Sequence, residues 1–270
     1  LAAGIPIALL MWGSGFIKAP KLTKDDLLKL APVGAAFAAG QVATVASLGA
    51  VAVSFTHVVK ALEPAVNAIA SALVLGQVFH PMVYASLLPV FAGVALASSK
   101  ELSFTMFGFL TAMASNFFFV TRNVLATKFG DVGDMGTEKT ERKTNQLAVL
   151  TAVAATVLLP VVLVLPGGLL SFGAAWKAAL ATGVSSHKLV HDGSFWLPLL
   201  HVLTAFLQLI RVVELSLHNV LNTLKRVVII VVSIIVFRTP VTVQSAAGTA
   251  VAIGGVLLYS LTKAGPASLY

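Results

Sequence analysis

The sequence contains no cysteine, which excludes disulfides and metal sites built from thiolates. Charged residues are also scarce, at 10% of the 270 residues, whereas a soluble domain carries about 25%. Hydrophobic residues make up 58% of the chain, and the mean hydropathy is +0.96. This composition indicates a membrane protein, and the length allows about nine spans of roughly 20 residues each.

Motifs of several enzyme classes are missing as well. The chain has no Walker loop, no HExxH, no GxSxG and no acidic metal cluster, so we expect no enzyme, no metal and no cofactor. The net charge of +8 is compatible with nucleic-acid binding, but most basic residues are scattered over short loops without a basic-aromatic patch. We therefore expect a lipid bilayer, and not a nucleic acid, as the environment of this chain.

Apolar runs separated by polar or Pro/Gly segments predict nine spans, at 1–16, 30–51, 53–78, 82–99, 103–127, 146–166, 195–215, 216–237 and 241–262. Asp25 and Asp26, in a polar hinge, predict the start of a helix. Polar loops are predicted at 130–145 and 167–194, and the second holds an amphipathic piece around Trp176.

The chain carries an internal repeat. Val78-Phe79-His80-Pro81 precedes one apolar helix, and Val236-Phe237-Arg238-Thr239-Pro240 precedes a similar helix about 160 residues later. In both halves the preceding helix starts near a histidine and carries a lysine. Two related halves with the substrate between them are typical of secondary transporters. We assign most of the first repeat to residues 1–100 and the second repeat to residues 101–270.

Three cations lie inside stretches that are otherwise apolar enough to cross a membrane: Lys60, Lys225 and Arg226. One Lys or Arg at the centre of a bilayer costs roughly 2.5–3.5 kcal/mol on insertion scales, so three of them need compensation. Glu63 follows Lys60 by three residues and is one candidate for pairing. An anion that visits the cations is the other, and Arg and Lys both suit phosphate.

Polar residues also recur at helical spacing, which places them on shared helix faces: His218, Asn222 and Lys225; His57 and Lys60; and Gln41, Thr44 and Ser47. Lipid cannot satisfy these groups, so the faces are expected to line one internal cavity. For Gln41 and Asn222, a purely structural hydrogen bond between helices is the alternative.

Several stretches closely resemble the plastid phosphate translocators of the triose-phosphate/phosphate type: residues 54–64 (SFTHVVKALEP), 88–98 (LPVFAGVALAS), 114–116 (ASN) and 222–226 (NTLKR). The resemblance implies an all-α membrane protein with the drug/metabolite transporter fold, which has two inverted five-helix repeats. The chain would hold nine of the ten transmembrane helices and lack the first. The resemblance also implies the inner envelope membrane of a plastid, either a chloroplast or an apicoplast, and a carrier that functions as a monomer.

The resemblance implies a phosphate clamp of four residues that match those of the family: Thr44, Lys60, Lys225 and Arg226. A family histidine that holds the rest of the sugar phosphate falls on Gln41. A family tyrosine falls on Val202, or on Phe206 if about one helical turn is missing here. His57 and Asn222 complete the predicted substrate-binding set. The clamp is therefore kept, while the far end of the pocket has changed.

The function predicted in this way is an antiporter that exchanges inorganic phosphate for phosphorylated three-carbon compounds by alternating access. Those compounds are triose phosphate, 3-phosphoglycerate and phosphoenolpyruvate. Closing an empty cationic site would remove unpaired charge from water, so only loaded carriers are expected to cross. A nucleotide-sugar or other metabolite transporter of the same superfamily is one alternative. An anion channel and a membrane-bound phosphatase are the others.

Overall fold

A computed structural model describes residues 4–129, 132–164, 218–237 and 241–264, and these ranges are helical with no assigned strand. The helices are labelled in chain order as α1 (Gly4–Gly13), α2 (Lys24–Ala50), α3 (Val53–Lys60), α4 (Glu63–Leu75), α5 (Pro81–Ala85), α6 (Leu88–Ser99), α7 (Met106–Phe129), α8 (Lys139–Val164), α9 (His218–Phe237) and α10 (Val243–Ala264).

Four described segments are long and apolar enough to cross a membrane: Lys24–Ala50, Val53–Leu75, Pro81–Ser99 and Val243–Lys263. All four overlap predicted spans, and the prediction of a mostly helical membrane protein is confirmed to that extent. The predicted span 195–215 and the amphipathic piece around Trp176 lie outside the described residues. The number of spans and the inverted repeats therefore remain predictions.

Helix α2 begins where the sequence predicted a helix start. The Thr23 hydroxyl accepts a hydrogen bond from the Asp26 N–H at 3.2 Å, and the Asp26 carboxylate accepts one from the Thr23 N–H at 2.9 Å. This reciprocal pair satisfies two of the N–H groups that a helix start leaves without partners. Helix α8, in contrast, begins at Lys139, so the predicted loop 130–145 is shorter than expected. Four of the seven residues 139–145 are good helix formers and extend the apolar helix: Lys139, Glu141, Arg142 and Lys143.

The described residues form two compact units, and residues 4–38 and 129–164 belong to the first. Asn145 on α8 is fully buried and links the loops of this unit. Its carbonyl accepts a hydrogen bond from the Trp12 indole at 2.9 Å, and its amide donates to the backbone carbonyls of Lys18 and Met135, each at 2.9 Å. One buried side chain therefore fixes both loops to α8.

The second unit comprises residues 39–128, 218–237 and 241–264. Its apolar core joins α3, α6, α7, α9 and α10. Helices α6 and α10 pack closely at Gly93 and Gly248. A Cβ on Gly93 would lie 2.3 Å from the backbone nitrogen of Ala252, and one on Gly248 would lie 2.4 Å from that of Ala97. Small residues four apart on both helices allow this close backbone packing, which is common between helices in membranes.

Candidate functional site

The second unit contains a break in an apolar span. Residues 53–78 were predicted as one helix, but α3 ends at Lys60 and α4 begins at Glu63. At the junction the N–H groups of Ala61 and Leu62 donate to carbonyls only three residues earlier, at 3.0 and 3.1 Å. These bonds tighten the last turn of α3. The break places Lys60 at a helix end within a segment that is long and apolar enough to cross the membrane.

The sequence explains why the helix breaks here. Pro64 has no N–H to donate to the carbonyl of Lys60, four residues earlier, and its ring crowds that carbonyl. A side chain from α7 supports the junction, because the Asn116 amide donates to the Val59 carbonyl at 3.0 Å. Asn116 is fully buried. The break is thus stabilised from a neighbouring helix.

Lys60 is buried, with 8% of its surface exposed, and its ammonium contacts two hydroxyls. Its Nζ donates to Ser115 Oγ at 2.7 Å and lies 3.5 Å from Thr44 Oγ1. The Thr44 hydroxyl donates to the Gly40 carbonyl at 2.8 Å, so its oxygen must accept the Ser115 hydrogen at 2.7 Å. The hydrogen bonds therefore run in one direction: Lys60 donates to Ser115, Ser115 donates to Thr44, and Thr44 donates to the Gly40 carbonyl. These hydroxyls satisfy hydrogen bonds but do not neutralise the ammonium.

The Phe119 ring covers the same ammonium, because Lys60 Nζ lies 4.3 Å from its centroid. A cation within about 6 Å of an aromatic face is attracted to it. Gly40 allows this arrangement, since a Cβ there would lie 3.1 Å from the ring. Ser115 and Phe119 are four residues apart and hence share one face of α7.

An ion pair lies directly after the break. Arg226 Nη2 on α9 donates to Glu63 Oε2 at 2.8 Å, and the two side chains are 18% and 22% exposed. Arg226 Nη1 is buried and has no hydrogen-bond partner among the described residues. Buried polar atoms without partners are uncommon and call for an explanation. A second anionic group next to Arg226 would provide one, because the guanidinium fork can bind two oxygens in parallel.

Positive charge is in excess around Glu63. This carboxylate interacts electrostatically with Arg226, Lys60 and Arg122. Within residues 39–128 and 218–264 the only other acid is Glu101, which bonds Ser103 and Ser245 through its own carboxylate. Three cations facing one carboxylate leave an excess of two positive charges. A phosphate monoester carries about two negative charges at pH 7, so it could balance them.

The predicted binding residues differ in how far the structure describes them. Thr44 and Lys60 are brought together, and Gln41 and His57 are half-buried on α2 and α3. Arg226 reaches Glu63, for which the sequence offered only Lys60 as a partner. Asn222 and Lys225 lie on α9, but their side chains are outside the described part of the structure; Val202 and Phe206 are outside it entirely.

Sequence reasoning missed Ser115, Phe119 and Arg122 as parts of this cluster. They lie at i, i+4 and i+7 on α7, the same spacing that singled out the faces of the other helices. None of the three was assigned to the binding site from the sequence. Applying the face test to α7 would have found all three.

Nearly the whole chain is similar to known proteins. A sequence model of the Triose-phosphate Transporter family matches residues 1–260. The chain is 40% identical over 265 residues to the phosphoenolpyruvate/phosphate translocator 3, chloroplastic, of Oryza sativa subsp. japonica, covering 97% of the chain and 65% of that protein. It is 40% identical over 268 residues to the triose phosphate/phosphate translocator, chloroplastic, of Brassica oleracea var. botrytis, covering 98% and 63%.

A third relative carries a different name. The glucose-6-phosphate/phosphate translocator 1, chloroplastic, of Arabidopsis thaliana is 38% identical over 265 residues, covering 97% of the chain and 66% of that protein. The chain thus spans slightly less than two thirds of the length of these relatives.

Proposed function

The chain belongs to the triose-phosphate transporter family, and from this premise we propose that it exchanges inorganic phosphate for phosphorylated three-carbon compounds. It is an integral membrane protein of a transporter family, so the proposed activity is that of a carrier and not of an enzyme. The relatives are named as chloroplastic, and we place this chain in the inner envelope membrane of a plastid.

The observation that carries the proposal is the unbalanced cationic cluster around Glu63. Lys60 is buried among neutral hydroxyls, and Arg226 keeps one buried nitrogen without a partner among the described residues. A buried cluster with excess charge is unfavourable unless a counter-ion reaches it. Phosphate supplies both the charge and the oxygen acceptors.

Each side chain then has a distinct role in holding the phosphate. Lys60 supplies a compact charge whose direction is set by Ser115 and Phe119. Arg226 binds Glu63 through Nη2, which fixes the guanidinium plane so that Nη1 can donate to a phosphate oxygen. Lys225, its neighbour in sequence, adds a further charge to the clamp. No covalent step and no cofactor are needed.

The same charge balance explains obligatory exchange. Closure around an empty site would remove uncompensated positive charge from water, which is strongly unfavourable. A bound phosphate or phosphate ester neutralises this charge and permits closure. Alternating access is then completed only by a loaded carrier, and each substrate that leaves must be replaced by another.

Three-carbon substrates are favoured by the names of the relatives, which include triose phosphate and phosphoenolpyruvate translocators. Gln41 lies three residues before Thr44 on α2 and is half-buried. Its neutral amide can bond a hydroxyl, a carbonyl or a carboxylate of a short skeleton. We assign Gln41 to the part of the substrate beyond the phosphate.

The test is uptake of radiolabelled phosphate into liposomes that contain the full-length protein. The liposomes are preloaded with phosphate, dihydroxyacetone phosphate, 3-phosphoglycerate, phosphoenolpyruvate, glucose 6-phosphate or nothing. We expect uptake only with an internal phosphorylated or phosphate counter-substrate. Equal uptake into empty liposomes would instead indicate a channel or uniporter, and no uptake under any loading would favour the nucleotide-sugar alternative.

Variants connect the exchange to the cluster. Lys60→Met and Lys225→Ala should abolish exchange, because each removes a charge from the clamp. Lys100→Met is the matched control, since Lys100 is an exposed lysine at the end of α6. Exchange by Lys225→Ala at the parent rate would contradict the proposed mechanism.

A further inference from the structure

A polar cavity lies in the same unit, lined by residues other than those of the Lys60 cluster. Its volume is about 390 Å³, and six of the residues that line it are polar: Asn67, Ser71, Gln77, Asn123, Thr127 and Lys263. None of the described lining residues is acidic. The proposed phosphate clamp does not use any of them, so the cavity needs an explanation of its own.

The cavity continues the helix faces that form the Lys60 cluster. On α7, Ser115 and Phe119 contact Lys60, and Asn123 and Thr127 follow at further steps of four residues. Four residues advance a helix by about 6 Å and return to the same face. The cavity therefore begins about one helical turn beyond Phe119.

On helix α4, the same spacing of four residues leads from the Lys60 cluster to the cavity. Glu63 holds Arg226, and Asn67 and Ser71 follow it at steps of four residues. The two faces meet where the Asn123 amide donates to Asn67 Oδ1 at 3.4 Å. This amide pair marks the inner end of the cavity, on the side of the clamp.

The outer end holds the cation of the cavity. Lys263 lies in the last turn of α10, at the end of the apolar span Val243–Lys263. Its Nζ lies 4.8 Å from the ring centroid of Phe79 and 5.5 Å from that of Tyr259, and it donates to the Tyr259 hydroxyl at 3.1 Å. The contacts hold the ammonium in place without neutralising it.

These features fit an oxyanion better than an apolar or cationic ligand. Amide and hydroxyl groups can replace water around oxygens, and Lys263 supplies a positive charge that no described lining residue offsets. Polar lining would be costly against lipid, whereas it is stable around water or a polar solute. A positive charge at the entrance of a cavity attracts anions, which raises their local concentration and their rate of arrival.

We propose that this cavity is a peripheral oxyanion site on the access path between the membrane surface and Lys60, with Lys263 as its cation. That the anion is phosphate or a phosphate ester rests on the proposed function. The preference of the cavity for anions over cations does not, and it can be measured separately.

The first experiment uses the absence of cysteine from these 270 residues. In the full chain, with any cysteine outside this segment replaced, Asn67→Cys places a single thiol at a half-buried position of the cavity lining. Leu73→Cys is the control, because Leu73 lies on the same helix but is 81% exposed on its apolar face. We expect a water-soluble thiosulfonate reagent to modify Asn67→Cys and to leave Leu73→Cys unmodified in liposomes.

Charge selectivity is measured with anionic and cationic reagents of similar size. Their rates at Asn67→Cys are each divided by the rates at Lys100→Cys, an exposed position. We expect the corrected ratio to favour the anionic reagent, and Lys263→Gln to remove most of that preference. An inert Asn67→Cys, a corrected preference for the cationic reagent, or a ratio unaffected by Lys263→Gln would overturn the proposal.

A second variant keeps the test decisive if Lys263→Gln does not fold. Thr127→Asp adds a negative charge at an exposed position of the lining, and it should shift the corrected ratio toward the cationic reagent. An unchanged ratio in folded Thr127→Asp protein would contradict the assigned site.

A transport assay distinguishes failure of the peripheral site from failure of the proposed function. In the exchange assay, Lys263→Gln should raise the KM for phosphate several-fold and lower the maximal rate much less. Its KM should also depend less on ionic strength, because the screened attraction has been removed. A parent-like KM in an exchanging variant would overturn the peripheral site alone. A parent that exchanges no phosphate would overturn the proposed function, while the labelling would still decide the cavity.

Discussion

Arg226 on α9 donates a 2.8 Å hydrogen bond to Glu63, the first residue of α4, and so joins segments 163 residues apart. The pair lies immediately after the helix break that positions Lys60. Glu63 thus orients one cation of the proposed clamp and also competes with any anion for it. Both effects can be measured.

The first prediction concerns the loss of that carboxylate in Glu63→Gln. Removing one partner of a buried pair costs about 3–5 kcal/mol, and the partial exposure of this pair reduces the cost. We expect a lower melting temperature in detergent. Phosphate should raise it more in Glu63→Gln than in the parent, because phosphate restores a negative charge next to Arg226. Thermal unfolding with and without phosphate measures both effects.

Glu101→Gln is the control for this prediction, because Glu101 is the other acid within the described part of the second unit. It bonds Ser103 and Ser245 and is not paired with Arg226. Its response to phosphate should match that of the parent. An equal phosphate response in Glu63→Gln would show that Glu63 does not compete with the anion.

The second prediction concerns Ser115, which accepts the 2.7 Å hydrogen bond from Lys60. Ser115→Ala removes this acceptor, and hydrogen bonds to charged groups contribute about 1.5–3 kcal/mol. The ammonium would then be less well oriented toward the substrate, and we expect the KM for phosphate to rise by about tenfold. Ser233→Ala is the matched control, since Ser233 is also buried and, within the described ranges, bonds only the Ile230 carbonyl of its own helix. Equal KM values for both variants would contradict a role of Ser115 in orienting Lys60.

Sequence patterns predicted the helices well, because long apolar runs allow few other structures in a membrane. Every predicted span within the described ranges is mostly helical, although the span predicted at 82–99 is divided into α5 and α6 at residues 86–87. The break between α3 and α4 was missed, although Pro64 is a visible signal for it. A proline alone does not decide between a kink, a break and a helix start. Here Asn116, from a distant part of the chain, also supports the junction through its hydrogen bond to the Val59 carbonyl.

The contacts of the Lys60 cluster could likewise be predicted only in part, because some of them are made by residues distant in the sequence. Thr44 and Lys60 could be linked through a family resemblance, but Ser115 and Phe119 depend on how α7 packs against α2 and α3. The nearest cation to Glu63 in sequence is Lys60, yet Arg226 forms the hydrogen-bonded pair. Because the helix breaks between Lys60 and Glu63, the two residues are not neighbours one turn apart on a continuous helix.

The third prediction concerns the packing of α6 against α10. Gly248→Ala would place a Cβ 2.4 Å from the backbone nitrogen of Ala97, so the helices must separate. Overpacking of this kind costs about 1–3 kcal/mol, and we expect a lower melting temperature. Gly254→Ala on the same helix meets nothing within 4 Å and should be neutral or stabilising, because alanine favours helices over glycine. Similar melting temperatures for the two variants would contradict the close packing.

The last prediction concerns the choice of carbon skeleton. Gln41 precedes Thr44 by three residues on α2, which places it about 4.5 Å along the helix from Thr44, a residue of the predicted phosphate clamp. Inorganic phosphate has no atoms to reach that position, whereas a three-carbon ester does. Gln41→Ala should therefore raise the KM for phosphorylated compounds about three- to tenfold more than the KM for inorganic phosphate, as expected for one lost hydrogen bond.

Val42→Ala is the neighbouring control, because Val42 is 45% exposed and faces away from the cluster. The measurement is competition of each three-carbon compound with labelled phosphate during exchange. If all KM values rise by the same factor in Gln41→Ala, the residue acts on the phosphate or on the fold. A rise confined to one compound would instead identify the skeleton that Gln41 selects, because only a group within hydrogen-bond distance of the amide can lose that bond.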